Sequence, residues 1–144
     1  MNSQRLTMIS VAVVILVIAA FAIVPRLTAT QASGDIDYGA NPRLGSPDAP
    51  VKVAVFFDFL CPHCASFSAN TTPVLEQEFV NDGTAAIYFL NFPVVHPIVS
   101  RDVALVGECV FQQGNDIFTQ LEPVLMRGQQ SLRSRADAID MALA

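Results

Sequence analysis

Two cysteines three residues apart, Cys61 and Cys64, enclose Pro62 and His63 at the end of the run FFDFL. Neither the proline nor a pair of thiols serves core packing, so the stretch points to sulfur chemistry. Proline is favoured at the first helical position, where its missing N–H costs nothing, and this makes Cys61 the N-cap of a following helix. A thiolate there accepts hydrogen bonds from the free N–H groups two and three residues ahead and feels the positive end of the helix dipole. Cys61 is therefore expected to ionise more readily than an ordinary thiol. His63, when protonated, adds a nearby cation acting in the same direction. Residues i and i+3 on a first helical turn have Cα atoms roughly 5 to 6 Å apart, within the range a disulfide bridges. Cys61 and Cys64 can then pass between dithiol and disulfide in place.

Other uses of the motif compete with this one. A structural disulfide over so short a loop constrains little unfolded-chain entropy and stabilises weakly. A zinc site needs four ligands, and after Cys61, His63 and Cys64 the chain offers only His96 and Cys109, singly, with no second C-x-x-C. Haem attachment needs a histidine directly after the second cysteine, and residue 65 is Ala. Redox exchange uses the whole motif, with the disulfide itself as the redox group and no bound cofactor.

The elements that must position the pair are legible around it. Val51–Leu60, VKVAVFFDFL, is apolar on both alternating faces apart from Lys52 and Asp58, which predicts a central strand covered on both sides. From Pro62 the pattern turns helical, with Cys64, Phe67, Thr71, Val74 or Leu75 and Glu78 or Phe79 on one face, and Pro73 bending the helix before Asn81, Asp82 and Gly83 close it. Thr84–Phe92, TAAIYFLNF, reads as a second buried strand, and the crossover is long enough for a parallel pair, giving a βαβ unit over 51–97. Beyond Pro97, segments 99–113, 116–127 and 132–143 carry apolar residues at three and four spacing, with Phe111, Phe118, Leu121, Val124 and Leu125 as core. Cys109 is expected to point inward as a small hydrophobe. His96 reads as a loop histidine, solvated or bonded to backbone.

After a short tail over 1–5, residues 6–24 include the uncharged run MISVAVVILVIAAFAIV, Met8–Val24, long enough for a slightly short membrane helix. A signal peptide cleaved near Thr30–Ala32 is the competing reading. Residues 25–50, rich in glycine and proline, read as a tether. Arg5 and Arg26 flank the apolar run almost symmetrically, so charge barely decides its orientation. The 144 residues allow one domain, and the formal net charge of -5 with few, scattered basic residues argues against nucleic acid as partner.

LGSPDAPVKVAVFFDFLCPHC, followed by FPVVHP and a helical ECVFQQG, resembles the DsbA-like thiol-disulfide oxidoreductases over about Leu44 to Gln130. The resemblance implies an α/β, thioredoxin-like fold with a helical domain inserted after the second strand, here residues 98–144. It implies that Cys61 is the exposed nucleophile, Cys64 the resolving thiol and His63 a tuner of the potential, with Pro62 completing the motif. Relatives often carry a buried acid six positions before the nucleophile; this chain has Val55 there, with Asp58 a substitute proton relay or a turn carboxylate. Family members continue with a cis-proline strand, further strands and a last helix. The chain ends at Ala144, within what corresponds to the insertion, so the domain is expected to be incomplete, its C-terminal strands and cis-proline loop missing.

The expected function is disulfide donation to, or exchange with, cysteine-containing unfolded or secreted proteins, with a membrane redox partner resetting the pair. Disulfide donation belongs on the oxidising side of a membrane, so the catalytic part is expected outside the cytoplasm, periplasmic or outer, tethered by the N-terminal helix or secreted after its cleavage. An inactive remnant or membrane-anchored interaction module is the alternative.

Overall fold

A computed structural model of the chain describes residues 36–144 together with Met8, Ile9, Ala12, Val13, Val14, Leu16, Val17 and Ala19. Those eight are helical, and a separate unit runs from Asp37 to Ala144. The membrane or signal segment predicted over residues 6–24 lies largely outside the described residues, as do the tail and the first part of the tether. Among the described residues no helix is long and apolar enough to cross a membrane.

Three strands, β1 (Arg43–Leu44), β2 (Val51–Phe57) and β3 (Ala85–Asn91), form a sheet in the order β1-β3-β2. The predicted parallel pair is present: β2 and β3 run in register from Val51 opposite Ala85 to Phe57 opposite Asn91. The central strand, however, is β3 and not β2. Ala85 to Phe89 are buried without a break, as a strand covered on both faces requires, whereas β2 lies at an edge of the described sheet with Val51, Lys52 and Phe56 exposed. Apolar residues on both faces of a segment report what covers it above and below, and say nothing of its lateral neighbours.

The end of the predicted tether is also part of the fold. β1 pairs antiparallel with β3, Arg43 opposite Tyr88 and Leu44 opposite Ile87. Gly45 follows with φ +94, where a Cβ would lie 2.8 Å from Val80 Cγ1 and 3.0 Å from the Ala85 carbonyl oxygen, so the turn requires glycine. On the outer edge of β1 the side chain of Asn115 behaves like a strand: its Oδ1 accepts from the Arg43 N–H at 2.8 Å and its Nδ2 donates to the Arg43 carbonyl at 2.9 Å.

Five helices complete the unit: α1 (Pro62–Asn70), α2 (Thr72–Leu75), α3 (Val99–Phe111), α4 (Asn115–Arg127) and α5 (Arg135–Leu143). Pro73 lies in the first turn of α2, where it starts a new helix instead of bending an old one. A π-helical turn, Glu76–Val80, continues α2. Thr72 and Val80 are buried, and Thr71 and Phe79, placed on the inner face by helical spacing, are exposed: the helix restarts after Thr71, and within the wider turn the buried position falls at Val80.

One apolar core joins the sheet to α3, α4 and α5. It contains Phe57, Phe59, Ile87 and Phe89 from the βαβ side and Val103, Val106, Val110, Phe118, Leu121 and Leu125 from the helices. α3 comes so close that a Cβ on Gly107 would sit 3.1 Å from the Phe59 ring. Of the predicted helical core, Phe118, Leu121 and Leu125 are buried and Phe111 is half-buried. Val124 is exposed and Met126 is buried instead, because the inner stripe of α4 follows 118, 121, 122, 125 and 126. Cys109 is likewise exposed: Val103, Val106, Gly107 and Val110 occupy the inner face of α3 and turn it outward.

Candidate active site

Cys61 is the N-cap of α1, with extended backbone (φ −81, ψ 118), and Pro62 opens the helix. Its N–H donates to the Asp58 carbonyl at 2.9 Å, and its own carbonyl accepts from Ala65 N at 3.0 Å, closing the first helical turn. Both thiols are free and half-buried. The Cys61 sulfur makes no capping hydrogen bond, yet the neighbouring donors still favour its charged form. Burial pulls the Cys61 thiol upward and the Asp58 charge adds to that pull. The N–H of Cys64, the Cys64 thiol and the N–H of His63 together outweigh both, leaving Cys61 below the usual thiol value. Cys64 moves the opposite way: burial, the Cys61 sulfur and the Asp58 charge raise it, against a backbone hydrogen bond at Asp58. The same first turn thus favours the charged form of Cys61 and the neutral form of Cys64.

The peptide N–H of His63 is one of the groups that lower Cys61, and its ring is exposed. Asp58 is buried and fully engaged with backbone. Its Oδ1 accepts from Leu60 N at 2.9 Å, and its Oδ2 accepts from Val94 N and Val95 N, both at 2.8 Å. The carboxylate therefore knots the end of β2, the entry to α1 and the loop after β3. His96 lies in that loop, where its Nδ1 accepts from the N–H groups of Ile98 and Val99 at 3.3 and 3.1 Å and caps the start of α3. That is the backbone-bonded role its sequence context suggests.

The family model described as Thioredoxin matches residues 38–143. The chain belongs to the thioredoxin family. Among curated relatives, a probable disulfide bond formation protein D of Bacillus cereus is 37% identical over 81 residues, which are 56% of this chain and 37% of that protein. Disulfide bond formation protein D of Bacillus subtilis is 33% identical over 97 residues, 67% of this chain and 43% of that protein. The crystal structure of oxidised BdbD from Bacillus subtilis aligns with a TM-score of 0.59 at 32% identity, covering 62% of this chain and 48% of that one. The DsbA-like resemblance of the motif region holds, and the chain spans less than half the length of the curated relatives it matches.

Three residues of this thioredoxin-family site were not singled out in the sequence. Gln129, after α4, donates from its Nε2 to the carbonyls of Phe59 at 3.3 Å and Cys61 at 3.2 Å, tying the helical part to the reactive turn. Ser68, one turn beyond Cys64 on α1, donates its hydroxyl to Glu122 Oε2 at 3.0 Å. Glu122 itself is buried, 5% exposed, and lines a cavity of about 230 Å³ together with Cys64, His63 and Val55. A charged residue on the inner stripe of α4, beside Leu121, was the available signal. Gln129 follows the helix and left none.

Burial pushes the Glu122 carboxyl above its usual value, more than the Ser68 hydrogen bond and the Arg127 charge pull it down. Folded protein therefore holds this proton more tightly than unfolded chain. The associated stability is fully present below the ordinary glutamate range and is lost as pH rises through the raised folded value. Glu122→Gln, which cannot ionise, is expected to melt higher than the parent at neutral pH, with the difference shrinking as pH falls toward 4. Melting curves across that range check it; a difference independent of pH would contradict it.

Proposed function

We propose that this chain exchanges disulfides with cysteine-containing proteins through Cys61 and Cys64. The observation that carries the reading is the opposed tuning of the two thiols on one helical turn. In the dithiol form Cys61 is the thiolate that attacks a substrate disulfide, and Cys64 is the neutral thiol that later resolves the mixed disulfide. In the disulfide form a substrate thiolate attacks Cys61, and a second substrate thiol completes the transfer. A stabilised Cys61 thiolate lowers the energy of the dithiol form, which favours donation of the disulfide to substrate. Pro62 sets the helix start, the His63 amide supplies one donor and Asp58 holds the turn; the pair itself is the redox group, with no bound cofactor. Phe56, Phe92, Val94 and Val95, all exposed beside this turn, offer an apolar surface suited to unfolded or secreted chains.

The relatives' names refer to disulfide bond formation, and such chemistry needs an oxidising compartment. The location assigned here is thus extracytoplasmic, with the apolar run Met8–Val24 as anchor or cleaved signal and a membrane redox protein as the partner that resets the pair. The test is thiol alkylation of reduced, folded chain at mildly acidic pH, with each cysteine read by mass. Cys61 is expected to react at least about tenfold faster than Cys64 and Cys109. Equal, slow labelling of all three would instead favour a non-catalytic module.

A further inference from the structure

Asp58 and Glu122 are the two buried carboxylates among the described residues. Asp58 accepts from three backbone N–H groups, which fill both of its oxygens. Glu122 differs on every count. Its Oε2 takes one hydrogen bond, from Ser68, and its Oε1 takes none from the described residues. The side chain opens into the cavity that Cys64 and His63 line, and β2 and β3 give that cavity only Val55, Phe56, Phe57 and Phe89. α3 and α5 add nothing to it, so the ionisable groups around Glu122 are His63 and Cys64 of α1 and, on its own helix, Arg127. Ser68 stands one helical turn from Cys64, which sets Glu122 over the same face of α1.

We infer that Glu122 is the proton relay for Cys64, exchanging a proton with its sulfur across this cavity each time the Cys61–Cys64 bond opens or closes. The inference rests on the thiol-exchange reading given above. When a substrate thiolate attacks Cys61, a sulfur–sulfur bond forms between substrate and Cys61, the Cys61–Cys64 bond breaks, and its electron pair goes to Cys64. That leaves a thiolate where burial and Asp58 oppose negative charge. The protonated Glu122 carboxyl gives its proton to this thiolate, and the resulting carboxylate recovers one from solvent. Closing the bond runs the reverse: Cys64 loses its proton to the Glu122 carboxylate, attacks Cys61 of the mixed disulfide and releases the substrate thiolate. A cavity of about 230 Å³ has room for bridging water. Glu122 acts through that space and so is a positioning and relay residue, held by Ser68. Burial keeps its carboxyl protonated further toward neutral pH than an exposed glutamate, as a donor needs.

The test is single-turnover oxidation of a dithiol peptide by the oxidised full chain, over roughly pH 5 to 8, for the parent, Glu122→Gln and Glu122→Asp. The parent profile is expected to show a carboxyl-dependent break. Glu122→Gln should lose that break and run about tenfold slower on its acidic side, while Glu122→Asp keeps it. Parallel profiles for parent and Glu122→Gln would overturn the relay and leave thiol exchange standing. A folded parent that fails to oxidise the peptide would overturn both. Time-resolved infrared difference spectra of the parent after mixing with the dithiol peptide need no variant: opening the disulfide should bleach a protonated-carboxyl band transiently, until the carboxylate recovers a proton from solvent, and a carboxyl region unchanged throughout the turnover overturns the relay even if Glu122→Gln does not fold.

Discussion

Asp58→Ala is expected to lower the unfolding free energy by about 3 to 5 kcal/mol, because three backbone N–H groups lose their acceptor at a buried site. The lost bonds join Leu60, just before the reactive cysteine, to Val94 and Val95 in the loop after β3, so two segments far apart in sequence come loose together. Asp58→Asn keeps one acceptor oxygen but turns an amide donor toward N–H groups, and should cost roughly half as much. Denaturant titration measures both. The asparagine variant has a second readout. The Asp58 charge raises both thiols, so removing it should shift the alkylation midpoint of Cys61 to lower pH. Loss of stability without that shift would mean that the carboxylate holds the turn and does not tune the sulfur.

The second large effect lies away from the thiols. Phe118 is fully buried, with its ring centroid 6.0 Å from Phe89 on the central strand and 6.4 Å from Phe111 on α3. It is where α4, α3 and the sheet meet. Phe118→Ala is expected to cost about 3 to 5 kcal/mol through lost burial and the cavity left behind. Because Gln129 reaches Phe59 and Cys61 from the end of the same helical layer, loosening α4 should also free the reactive turn. Hydrogen exchange should therefore rise at Cys64 and Ala65 as well as along α4. Faster exchange confined to α4 would show that the turn is held independently.

What the sequence revealed of this fold followed from signals that act locally. Pro62 placed the helix start and made Cys61 its cap, and the two apolar runs located β2 and β3 to within a few residues, because proline geometry and strand periodicity are properties of a short stretch. Errors arose where an outcome depended on distant chain. The pattern of β2 suggests a central strand, although its lateral neighbour is a single strand, and the composition around Arg43–Leu44 suggests a tether, although β3 and Asn115 make it a strand. The helix restart after Thr71 and the π-turn at Glu76–Val80 put the buried positions at Thr72 and Val80 where regular spacing expects Thr71 and Phe79, a change that no 3.6-residue pattern announces. The reactive pair was legible because its chemistry is written in four adjacent residues. Glu122, Ser68 and Gln129 meet it only across the fold, and of these only Glu122 left a trace, a charge on an apolar stripe.

The clasp of Asn115 on β1 bears on the order of assembly. The strand has two residues, its partner β3 begins about forty residues later, and the side chain that closes its outer edge lies 72 residues away. No local contact can hold so short a segment, and loop closure over such separations is slow. The piece of this unit that leaves the ribosome early is thus among the last to be fastened, after the crossover has formed and α4 has been laid down. Until then one edge of β3 stays bare. A nascent chain stalled before Asn115 would present that edge to any passing strand, which makes synthesis of α4 the step that ends its exposure to mispairing.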